Sequence, residues 1–299
     1  KLFNKEAALF CSSGTQTNQI AIMAHTTPGG EVICHEESHI YKYEGGGIAR
    51  NSQCSMKLLR GNLGKINALD LPNALNNPQD IHLPLTQLVS LEDTSNRGGG
   101  SVYDYQEILR IAAFCRTNNL PLHLDGARIW NAHVASGVAL NEYGKYFDTI
   151  SVCLSKGLGA PIGSVMLSTK ERVANARVWR KRYGAGMRQV GLLAGAAHYA
   201  LDNNIARLSE DHRRAKELAV AIAAIDKSFV DPVLVETNIV GLDLTNAPYT
   251  AAELATRCRE AGLWISALGP KYARLVTHLD FDDEQCAAAI EILKRVLVA

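Results

Sequence analysis

The sequence predicts an α/β protein: a mainly parallel central sheet followed by a smaller C-terminal α+β domain. Three observations carry that expectation. Strand-length apolar runs alternate with helix-length amphipathic segments up to about residue 203, the pattern of right-handed βαβ units. Beyond that point a long mixed-charge helix leads into short strands separated by helices, as in an antiparallel α+β unit. A chain of 299 residues also exceeds the usual size of one domain.

In chain order, the apolar stretch Ala8–Cys11 precedes a helix over Thr15–His25. Strands are expected at Glu31–Cys34, Gln87–Glu92, Leu120–Asp125, Thr149–Leu154 and Gly163–Ser168. Helices are expected at Tyr103–Thr117, Lys170–Arg182 and Val190–Leu201. A polar helix, Ile205–Ile225, opens the second part. Strands at Phe229–Val235, Thr237–Leu244, Leu263–Ala267 and Ala273–Thr277 follow, with helices at Thr250–Ala261 and Asp282–Val298. The boundary is placed near Asn203, giving a large domain over 1–202 and a small one over 203–299.

Composition narrows the function class. An apolar fraction of 47% with 20% charge suits a globular protein with a real core. A net charge of +1 gives no electrostatic case for nucleic acid or an anionic membrane. No apolar run reaches the roughly 20 residues that span a bilayer. The start, Lys1–Glu6, lacks the build of a signal peptide and an initiator Met, and reads as the interior of a longer sequence. Seven cysteines, scattered and without a Cys-x-x-Cys pair, read as buried free thiols of a cytoplasmic protein rather than a metal site.

Chemistry concentrates at two strand ends. Lys156 follows the apolar run Thr149–Leu154 and precedes the small residues Gly157, Gly159, Ala160 and Gly163. Desolvation there would favour a free amine able to form a Schiff base, whereas a lysine that only snorkels to water is an equal alternative on this motif alone. Asp125 ends the strand Leu120–Asp125 and is followed by Gly126, Ala127 and Arg128. It could be a simple helix cap. Together, the two residues lie at the same rim of a parallel sheet. A carboxylate for a pyridine nitrogen and a lysine for an aldehyde are what pyridoxal phosphate requires.

Other residues fit around that pair. Ser12–Asn18, at a helix N-terminus, offers hydroxyls, Gly14 and backbone N–H groups to a phosphate ester, although an ordinary N-cap reads the same way. His39, ahead of the glycines at 45–47, could stack on a cofactor ring or act as a base. His123 shares a strand face with Asp125. Arg274 offers a guanidinium fork to an amino-acid carboxylate. The absence of Gly-x-Gly-x-x-Gly and of a P-loop removes the main support for a nucleotide enzyme.

Four stretches, His123–Ala132, Cys153–Ser164, Gly186–Gln189 and Arg274–His278, together resemble the low-specificity L-threonine aldolases. These are aspartate-aminotransferase-like (fold type I) pyridoxal phosphate enzymes related to the β-eliminating lyases, and the likeness runs from Glu6 to the C-terminal helix. The resemblance implies Lys156 as the Schiff-base lysine and Asp125 as the pyridine-nitrogen partner. It implies Arg128 at the ring 3-oxygen, Ala127 under one ring face and His39 stacked on the other. Ser13, Gly14 and Thr15 match the phosphate cup, Arg274 the substrate-carboxylate arginine, and Arg188 a segment near the phosphate at a subunit interface. It further implies homotetramers built from dimers that share active sites.

Two departures stand out. The family's Glu-Asn-Thr-His-Asn stretch, whose histidine meets the substrate hydroxyl, is here Glu92-Asp93-Thr94-Ser95-Asn96, so Ser95 takes the histidine's place. The family also begins with a few dozen further residues, including a serine at the substrate carboxylate. The implied reaction is retro-aldol cleavage of L-threonine, L-allo-threonine and other β-hydroxy-α-amino acids to glycine and an aldehyde, with His39 as first candidate base and Lys156 as second. The alternatives are β-elimination on the same scaffold and a cofactor-binding remnant; a nicotinamide dehydrogenase is a distant third.

Overall fold

The computed structural model describes residues 1–298; Ala299, the last residue of the expected small domain, lies outside them. Seven strands form the main sheet: β1 (Ala7–Cys11), β2 (Glu31–His35), β3 (Ser55–Leu59), β4 (Thr86–Glu92), β5 (Leu122–Gly126), β6 (Thr149–Cys153) and β7 (Ser164–Ser168). Their order is β1-β7-β6-β5-β4-β2-β3. Neighbours from β6 to β3 run parallel, while β7 is antiparallel to both β6 and β1. Every residue of β2, β5 and β6 is buried, as a sheet covered on both faces requires.

The covering helices are α1 (Gly14–Met23), α2 (His39–Lys42), α3 (Leu71–Ala74), α4 (Tyr105–Thr117), α5 (Ile129–Ser136), α6 (Leu140–Tyr146), α7 (Lys170–Arg182) and α8 (Gly191–Asn203). Helix α4 is capped by Asp104 and buries Ile108, Ile111, Ala112 and Cys115, one stripe at helical spacing. Helix α1 differs: from Thr17 to Met23 it is buried all round, polar residues included. Buried polar side chains need hydrogen-bond partners, and those partners turn out to build the site.

The remainder comprises α9 (Leu208–Ile225), β8 (Ile239–Asp243), α10 (Ala251–Glu260), β9 (Ser266–Gly269), β10 (Tyr272–Val276) and α11 (Asp283–Val296). Its three strands form a separate antiparallel sheet, β8-β10-β9. Capping boxes start α10 (Thr250, Glu253) and α11 (Asp282, Gln285). One buried apolar cluster gathers residues from Phe3 to Leu208 and another gathers Ala215 to Leu297.

One expectation needs correction, and two strands depart from the simple alternating pattern. The Gly163–Ser168 run is a strand but an antiparallel one, because the ten residues from Leu154 to Gly163 are too few for a helical crossover. Phe229–Val235 is not a strand: Asp231 caps a single 3-10 turn at Pro232–Leu234, and proline has no N–H to give a ladder. Strand β3 carries no alternating apolar signal because it is a half-exposed edge.

Candidate active site

Strands β4 and β5 end side by side, with Glu92 opposite Asp125, and β6 follows in parallel register. Their C-terminal ends therefore form one rim, the place where open α/β sheets hold ligands. The N-terminus of α1, the start of α2 and the second sheet's β10 close around it.

Asp125 is buried, its Oδ1 accepting the Ala127 N–H at 3.2 Å and its Oδ2 accepting from Asn18 Nδ2 at 2.9 Å. It does not cap α5, whose N-cap is Arg128 and carries no side-chain cap. His123, on the same face of β5, also reaches Asn18, with Nε2 at 3.1 Å from Oδ1.

Lys156 stands three residues past the end of β6, in a turn closed by the Gly159 N–H on the Lys156 carbonyl at 2.8 Å. Gly159 has φ +77°, a left-handed conformation that suits glycine. The ammonium end donates to Cys153 Sγ at 3.3 Å. The expected desolvation of this lysine is not met by the single chain: the strand ends at Cys153, and Lys156 is exposed beyond it.

Ser13 is the N-cap of α1, accepting from the Gln16 N–H at 3.2 Å, and Thr15 lies half-buried in the first turn. A Cβ on Gly14 would sit 2.8 Å from Cys153 Sγ, so glycine lets the helix start seat on the end of β6. The first-turn N–H groups of Gly14 and Thr15 have no carbonyl partner within the helix, which suits an anion.

His39 opens α2. Its N–H donates to Glu92 Oε2 at 2.7 Å and its Nδ1 lies 3.0 Å from Glu44 Oε1. The Glu44 hydrogen bond raises the His39 pKa above the ordinary imidazole value, against the pull of burial. Glu92 is buried, and burial followed by the nearby Asp125 charge pushes its pKa up to about 7. One side-chain nitrogen or oxygen from each of His39, Glu44 and Asp125 lies within 4.8 Å of the other two.

Two arginines converge on Asn96. Asn96 Oδ1 accepts from Arg128 at 3.4 Å and also from Arg274 on β10. Burial lowers the pKa of both, and Arg274 further lowers that of Arg128. The buried Nε of Arg274 has no hydrogen-bond partner among the described residues. Paired guanidiniums with a spare donor make a place for a carboxylate.

Two expected residues lie apart from this cluster. Ser95 is 2% exposed and its Oγ accepts the Gly98 N–H at 3.2 Å, on a side chain packed toward Gly64. Arg188 is exposed in the loop between α7 and α8 and has no ion pair or hydrogen bond among the described residues. Ala127 and Arg128 sit half-buried directly beyond Asp125. Sequence reasoning missed Asn18, Glu44, Glu92 and Asn96. The available signal was position: Asn18 and Glu44 follow Gly14 and His39 by four and five residues.

This rim and fold define a type I pyridoxal phosphate enzyme. The β-eliminating lyase family model matches residues 1–245, and the chain belongs to that family, alongside its low-specificity L-threonine aldolases. A probable low-specificity L-threonine aldolase of Schizosaccharomyces pombe is 38% identical over 99% of this chain and 75% of its own length. The low specificity L-threonine aldolase of Escherichia coli K12 is 38% identical over 96% of this chain and 83% of its own. Among solved structures, the threonine aldolase of Leishmania major superposes with TM-score 0.82 at 24% identity, covering 97% of this chain and 84% of that one. A Thermus thermophilus aspartate aminotransferase variant superposes with TM-score 0.71 at 15% identity, over 97% and 76% of the two chains. The aspartate-aminotransferase-like fold expected from the sequence is therefore the observed one.

Among the described residues no helix is long and apolar enough to cross a membrane. All seven cysteines are buried and free.

Proposed function

We propose that this protein cleaves L-threonine, L-allo-threonine and related β-hydroxy-α-amino acids to glycine and an aldehyde, using pyridoxal 5′-phosphate. The observation that carries the reading is the placement of Asp125 near the C-terminal end of β5 and of Lys156 three residues past the end of the adjacent parallel strand β6, at the rim that also holds two arginines joined by Asn96. The residues present suit the cofactor. Ser13, Gly14 and Thr15 would hold its phosphate at the α1 N-terminus, and Asp125 its ring nitrogen. Ala127, Arg128 and His39 would surround the ring, and Lys156 would bind its aldehyde. When bound, the cofactor supplies an electron sink for the bond that breaks.

The protein's own side chains then divide the work. Arg274, with Arg128, binds the substrate carboxylate and so fixes which bond at Cα faces the ring. His39 takes the proton from the β-hydroxyl, with Lys156 as the second candidate for that base. Ser95, bound within its own loop, supplies no imidazole where the family has a histidine. Arg188 supports a further part of the reading: an exposed cation on a loop can complete the phosphate site of a second copy. We extend the proposal to a homodimer or homotetramer with shared sites, to a division into domains 1–202 and 203–299, and to a cytoplasmic location. Incubation with L-threonine and analysis of the products test the central activity.

A further inference from the structure

Asn18 lies in the middle of α1 and is 1% exposed, yet its whole amide is engaged. Nδ2 donates one hydrogen to Glu44 Oε1 and the other to Asp125 Oδ2, both at 2.9 Å. Both hydrogens are thus spent on carboxylates, so Oδ1 is the atom facing His123 Nε2, and Nε2 must donate. Burial lowers the His123 pKa to about 4. Its ring is then neutral, and Nδ1 accepts from the Thr149 hydroxyl at 2.8 Å. Each polar atom of Asn18 has a fixed partner and direction. Glu44, held from one side by Asn18 and from the other by Gln19, meets His39 Nδ1 at 3.0 Å.

We propose that Asn18 and Glu44 are positioning residues of this site: Asn18 clamps the Glu44 and Asp125 carboxylates together, and Glu44 locks the His39 imidazole with Nδ1–H inward and Nε2 bare. The proposal rests on the assignment of His39 above and names two residues outside that assignment. A neutral imidazole has one donor and one acceptor nitrogen, and the partner of one decides the role of the other. A carboxylate on Nδ1 therefore makes Nε2 the lone-pair atom, which a base for the β-hydroxyl must present. The charged groups facing His39 are Glu44 from the loop after α2, Asp125 from β5 and Glu92 from β4, all acidic. They hold its proton more tightly than water does.

The test reads His39 directly, without turnover. Long-range proton–nitrogen NMR on the cofactor-free chain labelled with ¹⁵N-histidine gives the protonated nitrogen, and His39→Gln assigns the resonance. The proposal expects the neutral ring to be protonated at Nδ1 in the parent. In Glu44→Gln its titration should move to lower pH, and in Asn18→Leu the two tautomers should mix. A parent ring protonated at Nε2 overturns the proposal even if neither variant folds. So does a His39 titration that Glu44→Gln leaves unmoved.

The holoenzyme then separates the proposal from the reading beneath it. The acid limb of kcat/KM for L-threonine should move to lower pH in Glu44→Gln, with the plateau about tenfold lower as the weaker base predicts. An unmoved limb, beside the expected NMR result, supports the positioning role and overturns His39 as the base.

Discussion

Arg274, on β10 of the second sheet, meets Asn96, in the loop after β4, side chain to side chain across 178 positions of sequence. The same Asn96 oxygen also receives Arg128 at 3.4 Å, so a single amide sets the spacing of two guanidiniums. Arg274→Lys should raise KM for L-threonine more than tenfold while leaving cofactor affinity unchanged, since a point charge cannot replace a bidentate fork worth about 1.5–3 kcal/mol. Asn96→Ala should shift KM in the same direction and less. Loss of cofactor with an unchanged KM in Arg274→Lys would remove the arginine from the substrate side.

Asp125→Asn retains the shape, keeps one of the two hydrogen bonds the carboxylate accepts from Ala127 and Asn18, and removes the charge opposite a ring nitrogen. Turnover should fall a hundredfold or more, on the order of 3 kcal/mol in the barrier, with the cofactor still bound. Steady-state kinetics beside cofactor absorbance check this. A normal rate would reduce Asp125 to a turn-stabilising residue for Ala127.

Ser95 has its hydroxyl committed to the Gly98 N–H. Ser95→Ala should therefore leave the ratio of kcat/KM for threonine and allo-threonine unchanged within about twofold, and lower stability by about 1 kcal/mol for the lost bond. A changed ratio would mean that the hydroxyl reaches the substrate after all.

Asp93 is a buried acid whose Oδ2 has no hydrogen-bond partner among the described residues and whose Oδ1 accepts the Tyr103 N–H at 3.3 Å. Burial pushes its pKa from 3.8 up to about 8. In that window the folded state keeps a proton that the unfolded chain releases, so stability falls as pH rises from about 4 to about 8. Asp93→Asn removes the dependence. Thermal unfolding should show little gain at pH 5 and a gain of about 1–3 kcal/mol near pH 8, the usual cost of an unsatisfied buried group. Equal gains at both pH values would contradict the assignment.

The pairing of Asp125 with Lys156 was legible because both features are local: an apolar run, a polar residue at its end, and small residues after it. The sheet's parallel half was legible for the same reason. Asn18 and Glu44 were not. An amide in mid-helix ordinarily faces water; here α1 packs on the sheet and this one meets Asp125 and His123 of β5. The meeting of Asn96 with Arg274 was equally hidden, since nothing local brings β10 to the loop after β4. The exposure of Lys156 likewise depends on where β6 stops, which the apolar run extends by one residue.

The most direct test incubates the holoenzyme with L-threonine and measures the products, with Lys156→Ala as control. Glycine and acetaldehyde in equal amounts are expected from the parent. The variant should show neither the visible absorbance of lysine-bound pyridoxal phosphate nor more than a trace of cleavage, since the covalent attachment and the second base are lost together. Ammonia and 2-oxobutanoate from the parent, or near-normal cleavage by Lys156→Ala, would contradict the account.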